Sequence, residues 1–280
     1  MLRTAGAALA LLVVTAGVAG GSPMVGASAN TIPRGAFMLD TWVIWKDYTR
    51  SYDAGWNGWV DFPDSSQVQA ASLVPRVYYG VADWLTLRLA LPLEHRFESF
   101  PEEAGEKSVT GFGDVVLDPK IQVFRGEEGY PRIALLTGVR FPTGDTRSDP
   151  RTSDGSTDFL IGAASTDRFG ESLVGHLCVT YWANGESENG NDLDDLWIAS
   201  LSFENRVSER WTILWEGKLY SIEAFLDSYR FYVCPGIQWT DGDRLTIGAS
   251  ALVSAASVGA DLGSRDYDWA PFFKMYYRFF

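Results

Sequence analysis

The 280-residue sequence holds only two histidines and two cysteines, so few of its side chains can do acid–base or redox chemistry near neutral pH. His95 follows Glu94 and stands near several serines, an arrangement that would serve a surface hydrolase if a serine or aspartate came within reach of the imidazole. His176 falls on the polar side of its segment and reads as an internal hydrogen-bonding group. Cys178 and Cys234 match no metal-ligand spacing, and their segments are not neighbours, so two free thiols are expected. No G-x-S-x-G, H-E-x-x-H or phosphate-binding G-x-x-x-x-G-K-[ST] pattern occurs, so no enzyme is expected and neither a cofactor nor a metal is called for. What remains is a set of charges at alternate positions in otherwise apolar segments: Arg76, Arg88, Asp114, Lys120, Arg140, Glu216, Lys218 and Arg230. On one wall, such charges would line a polar passage that leans basic and favours anionic or polarizable aromatic solutes.

A wall of that kind is made of strands. In "LTLRLALPL", Leu85, Leu87, Leu89, Leu91 and Leu93 share one face and Thr86, Arg88, Ala90 and Pro92 the other, a period of two. The same texture predicts strands near 35–47, 70–81, 85–97, 113–125, 131–143, 157–166, 173–183, 195–207, 211–221, 229–239, 244–255 and 267–280. Short turns such as "VADW", "VSER" and "TDGD" alternate with longer acidic or glycine-rich loops near 48–69, 98–112, 144–156, 184–194, 222–228 and 256–266. An even strand count with this asymmetry predicts an all-β fold, an antiparallel transmembrane β-barrel of about 12 strands with short periplasmic turns and longer extracellular loops. Trp84, Tyr130, Phe169, Trp211 and Trp239 sit beside the short turns, where a periplasmic girdle of amphipathic rings would lie. The final strand puts Tyr267, Trp269, Pro271, Phe273, Met275, Tyr277 and Phe279 on the parity facing lipid, with Lys274 and Arg278 on the other. A Lys or Arg facing lipid costs about 2–4 kcal/mol at the midplane, so the charged parity must point inward. Pro75, Pro119, Pro235 and Pro271 fall within these strands and each removes a ladder donor, so bulges or kinks are expected there.

Arg3, the apolar run that follows it and the small residues Ala27 and Ala29 have the layout of a secretory leader, expected over residues 1–29 with the barrel over 30–280. The formal charge of −13 excludes nucleic acid as an expected partner. The excess acid falls mainly in the long loops, which suits either simple solvation or cation-bridged contact with lipopolysaccharide. Lipid and lipopolysaccharide of the outer membrane of a Gram-negative bacterium are the expected surroundings.

Residues 111–145, "GFGDVVLDPKIQVFRGEEGYPRIALLTGVRFPTGD", resemble the outer-membrane β-barrel family named for the MetA-pathway phenol-degradation protein. Gly111, Gly113, Asp114 and Lys120, then Pro142, Thr143, Gly144 and Asp145, carry the likeness, and "YYGVADWLTLRLALPL" resembles the preceding hairpin of that family. The resemblance implies a transporter for small, often aromatic, organic compounds, and assigns no substrate-binding residue. The aromatic last strand resembles the signal that outer-membrane proteins present to the barrel assembly machinery. Read from the residues themselves, the motif is hairpin architecture, with glycines easing the chain into a strand and "PTGD" turning it at the outer rim. Besides a channel for a small-molecule solute, a non-transporting surface barrel and, through His95, a hydrolase remain open.

Overall fold

The computed structural model describes residues 23–279 except 54–57, 64–65, 102–104, 127–129, 189, 191–192, 223–227, 243 and 259–264. The described chain forms β1 (Phe37–Tyr48), β2 (Arg50–Asp53), β3 (Gly58–Asp61), β4 (Gln67–Ala82), β5 (Leu85–Ala90), β6 (Leu93–Ser99), β7 (Lys107–Phe112), β8 (Val115–Phe124), β9 (Arg132–Phe141), β10 (Asp158–Phe169), β11 (Leu173–Ala183), β12 (Leu196–Arg206), β13 (Trp211–Ile222), β14 (Ser228–Thr240), β15 (Leu245–Val258), β16 (Arg265–Asp266) and β17 (Trp269–Phe279). All barrel pairings are antiparallel and follow the chain, and β1 pairs with both β17 and β4, which closes the sheet. β5 and β6 are two halves of one barrel strand against β4, interrupted at Leu91–Pro92. β7 and β8 are likewise two halves of the next, interrupted at Gly113–Asp114. So counted, the barrel has the twelve strands expected. No helix among the described residues is long and apolar enough to cross a membrane, and the crossing is made by strands.

The period-two reading holds around the wall. Leu87, Leu135, Ile161, Leu177, Leu201, Trp215, Ile247 and Phe273 are exposed outward, while Asp40, Arg76, Asp118, His176, Glu204, Glu216 and Lys274 are buried inward. Trp84, Tyr130, Phe169 and Trp211 are exposed at the short-turn end, and Trp239 pairs with Trp211 across the ladder. In β17 the parity is as expected from Trp269 to Phe279, but Tyr267 faces inward, 6% exposed, and stacks on Tyr232. It lies before the strand begins, so alternation does not govern it.

The prolines do less damage than expected. Pro75 pairs with Thr41, Pro119 with Leu87, Pro235 with Trp215 and Pro271 with Ala251, each within a regular ladder on one side. On the other side the ladder skips each of them, so the missing N–H falls in a gap. The register shifts lie elsewhere, at Gly80/Ala82, Gln122/Phe124 and Phe231/Tyr232.

Three expected loops contain strands. Within 98–112, β7 extends the hairpin with β6, and β2 and β3, within 48–69, join β16, within 256–266, in a small outer sheet. No run of alternating apolar residues marks these strands in the sequence. The outer sheet is tied down by Arg50, which donates to Asp266 at 2.8 Å and to Ser254 at 3.2 Å.

Candidate functional site

The inward residues converge on a lumen cavity of about 430 Å³. One side is built from two cross-strand pairs, Asp40 opposite Arg76 and Arg88 opposite Asp118. Directly opposed side chains are near neighbours in any antiparallel ladder, so the register makes both ion pairs. Arg88 Nε donates to Asp118 at 2.7 Å, and the Arg76 guanidinium also lies 3.5 Å from the centroid of the Trp42 ring. With both aspartates engaged, the charge left along the cavity is positive. Lys120 and Lys218 make no ion pair among the described residues. Lys120 Nζ donates to the Asn30 carbonyl at 3.1 Å, and the Lys218 ammonium lies 4.8 Å from the Tyr220 ring centroid. Trp42, Tyr78, Trp182 and Tyr276 give the cavity its aromatic surface.

A peptide segment crosses this lumen. Residues 1–22 lie outside the described residues, but Pro23–Ala29, within the span expected for the leader, is described against the inner wall, followed by Asn30–Ile32. The Glu216 carboxylate accepts the amide N–H groups of Met24, of Val25 at 3.1 Å and of Gly26 at 3.2 Å, and the Ser202 hydroxyl at 3.0 Å. Successive amides converging on one anion form a nest. Further along, Ala29 N–H donates to Thr166 at 2.8 Å and Ile32 N–H to Thr86 at 3.0 Å. Thr166 is fixed in turn by His176, whose Nδ1 lies 2.9 Å from the hydroxyl and whose Nε2 lies 3.1 Å from Glu204. Beside a Glu204 carboxylate Nε2 is the donor, and in the neutral imidazole Nδ1 then accepts from Thr166, which leaves a hydroxyl lone pair for Ala29. His176 is therefore the internal hydrogen-bonding group expected of it.

The eight charges expected to share one wall divide by height. Arg76, Arg88, Lys120 and Lys218 line the cavity. Glu216 holds the crossing segment. Arg140 and Asp114 line a second cavity, of about 420 Å³, near the outer rim, where Arg140 pairs with Asp158 and lies 3.9 Å from Asp154. Arg230 is buried at the outer mouth with its guanidinium 5.1 Å from the Trp59 ring of the small sheet. Lys274, which shares the cavity and donates to the Pro23 carbonyl at 2.6 Å, and Trp42 and Trp182 were not among the expected site residues. Inward parity was the signal for Lys274; nothing in the sequence sets the height of the two rings.

The family-like motif builds a loop. Thr143 accepts from Val115 N–H at 3.0 Å and donates to the Gly113 carbonyl at 3.1 Å, while Asp114 accepts from Gly144 N–H at 3.1 Å. Asp145 receives the amides of Arg147 at 2.8 Å and Ser148 at 3.4 Å, which hold its carboxyl below the usual carboxylate range. Thr152 closes the loop by accepting from Asp145 N–H at 2.8 Å and donating to the Phe112 carbonyl at 2.9 Å. Gly111, Gly113, Pro142 and Gly144 thus stand at a braced rim, and Lys120 is the motif residue that reaches the cavity. His95 lies with its Nδ1 2.7 Å from Thr110, and both cysteines are free thiols.

The fold is shared with solved outer-membrane barrels. An outer membrane channel from Pseudomonas putida F1, of the group named COG4313, superposes with a TM-score of 0.72 over 90% of this chain and 98% of that one, at 14% identity. The translocator domain of the autotransporter NalP from Neisseria meningitidis gives 0.52 over 88% and 90%, at 12% identity. The beta domain of the Bordetella autotransporter BrkA also gives 0.52, over 87% and 100%, at 12% identity. No curated protein matches the sequence. The barrel is of the kind found in the outer membrane of Gram-negative bacteria. Residues 67–257, more than half of the chain and including the motif from Gly111 to Asp145, match one family, and the chain belongs to that family, described as "Putative MetA-pathway of phenol degradation".

Proposed function

We propose that the barrel is a channel for small organic solutes and that it favours aromatic acids. The observation that carries the reading is the lumen cavity itself, where Lys120 and Lys218 stand beside tryptophan and tyrosine rings while both aspartates are committed to arginines. Its volume of about 430 Å³ lies in the range, roughly 300–1,000 Å³, of small-molecule sites. A monocyclic carboxylate would meet an ammonium at one end and ring faces at the other. The similarity to the Pseudomonas putida channel supports passage of some solute and does not name one.

Liposome swelling with the folded protein tests this, comparing benzoate, phenol and a neutral sugar of similar size. Benzoate is expected to enter fastest, and the double variant Lys120→Glu/Lys218→Glu is expected to invert the order of benzoate and a benzylammonium cation. An order unchanged by that double reversal would refute the assignment of these two lysines. The segment that crosses the lumen favours one alternative, a non-transporting surface barrel; absence of any swelling, with a heat-shifted gel band proving the fold, would favour it. Delivery to the assembly machinery through β17 and cation-bridged contact of the acidic loops with lipopolysaccharide complete the proposal.

A further inference from the structure

The sequence alone offers two places where an export leader could end. Small residues occupy the critical positions at Gly17 and Ala19, just after the apolar run from Ala5 to Val14, and again at Ala27 and Ala29. Both lengths fall within the roughly 15–30 residues of a leader. The chemistry of the lumen separates them.

A cut after Ala29 would discard Pro23–Ala29. The barrel wall is fitted to that stretch in both polarity and shape. Three successive amides, of Met24, Val25 and Gly26, meet Glu216, and Ala29 meets the Thr166 hydroxyl that His176 and Glu204 orient. The Pro23 carbonyl meets the Lys274 ammonium. Water in an open lumen could hydrate each of these groups singly. It does not explain why the wall's polar groups answer successive backbone groups of one peptide.

Steric fit points the same way. A Cβ on Gly26 would lie 2.7 Å from Ser200 Oγ, and a Cβ on Gly248 would lie 2.7 Å from Met24 Sδ. The segment and the wall therefore each give room to the other, at positions where any larger residue would force a shift. Met24 is fully buried and joins the cluster of Leu214, Cys234 and Phe272. These are the marks of a resident part of the folded protein.

We infer that the leader is removed at the Ala19–Gly20 bond, so that the mature chain begins at Gly20 and carries Pro23–Ala29 into the lumen. The step is an ordinary hydrolysis by the leader peptidase of the export pathway. Water adds across the peptide bond, the hydroxyl oxygen completing the Ala19 carboxylate and the proton going to the Gly20 amine. The inference is independent of what passes through the barrel.

Protein expressed with its own N-terminus and extracted from outer membranes decides the matter by mass. Intact mass should correspond to residues 20–280, and trypsin should release the peptide Gly20–Arg34. The peptide Asn30–Arg34 with an intact mass for 30–280 would overturn the inference. Two variants give an independent readout on a gel that resolves precursor from mature protein. Ala19→Leu should abolish the mature band, and Ala27→Leu, which spoils the alternative site, should leave it unchanged. The opposite pattern would place the cut after Ala29 even if the protein from either variant failed to fold, because processing is read on the precursor.

Discussion

Glu216→Gln should loosen the segment from the lumen wall while touching, in the barrel itself, only the bond from the Ser202 hydroxyl. In the wild type, the carboxylate accepts the amides of Val25 at 3.1 Å and Gly26 at 3.2 Å in addition to that of Met24. A hydrogen bond to a charged group contributes about 1.5–3 kcal/mol net. With its carbonyl in place of the oxygen that accepts Val25 and Gly26, Gln turns its NH₂ toward the Met24 amide, itself a donor, so that bond is lost and the other two fall from charged to neutral strength, together about 3–6 kcal/mol. Removing a buried charge also removes its desolvation cost, which brings the expected change to the lower end, about 3 kcal/mol, or about a hundredfold in the balance between seated and unseated segment. Planar-bilayer recording should then show longer or more frequent open intervals, and swelling rates should rise toward those of a variant lacking residues 23–29. The deletion variant is the calibrating control. If it conducts well while Glu216→Gln behaves as the wild type, the carboxylate does not hold the segment and the reasoning fails.

Gly80→Ala should disturb the point where the chain passes from the segment into β1, because a Cβ there would lie 2.0 Å from the Pro33 carbonyl oxygen; a lowered heat-modifiability midpoint with raised basal swelling is the expected reading. Thr143→Val removes two of the bonds that brace the outer rim, costing about 1–2 kcal/mol, and should speed proteolysis of the 144–157 loop while leaving solute preference intact. Asp266 supplies a pH dependence. Burial pushes its carboxyl up, but Arg50, Tyr267 N–H and Tyr232 outweigh this and leave it below the ordinary value. The stabilisation is therefore present above the unfolded value of about 3.9 and is lost as pH falls through the folded one. The protection of the outer-sheet amides, taken relative to their intrinsic exchange at each pH, should be constant above about pH 5 and fall below about pH 4, and Asp266→Asn should remove that dependence.

The wall was legible in the sequence because lipid enforces a rule that alternation records. A segment such as Leu85–Leu93 can satisfy a barrel only with its leucines outward and Arg88 inward, so inside and outside follow from parity alone. Height along the barrel axis follows from no such rule. Arg88, Arg140 and Arg230 share the inward parity, yet one lines the cavity, one the outer rim and one the roof beneath Trp59. Register places them, and register is fixed by where each hairpin turns and by shifts such as that at Gln122/Phe124.

The lumen segment was illegible for a different reason. Its residues, proline, methionine, valine, glycine, alanine and serine, are those that a leader's end also requires, small and uncharged. Because it crosses the lumen as a single irregular peptide that pairs with no strand among the described residues, its backbone groups depend on inward side chains from distant strands. Glu216, Thr166, Thr86 and Lys120 answer them from β13, β10, β5 and β8. The same dependence bears on function. Lys120 is held by the neutral carbonyl of Asn30, and a carboxylate in its place would add the Coulomb attraction of a second, opposite charge. An aromatic acid reaching the cavity would therefore compete with the segment for the same ammonium, which couples the identity of the solute to the seating of the peptide at a single side chain.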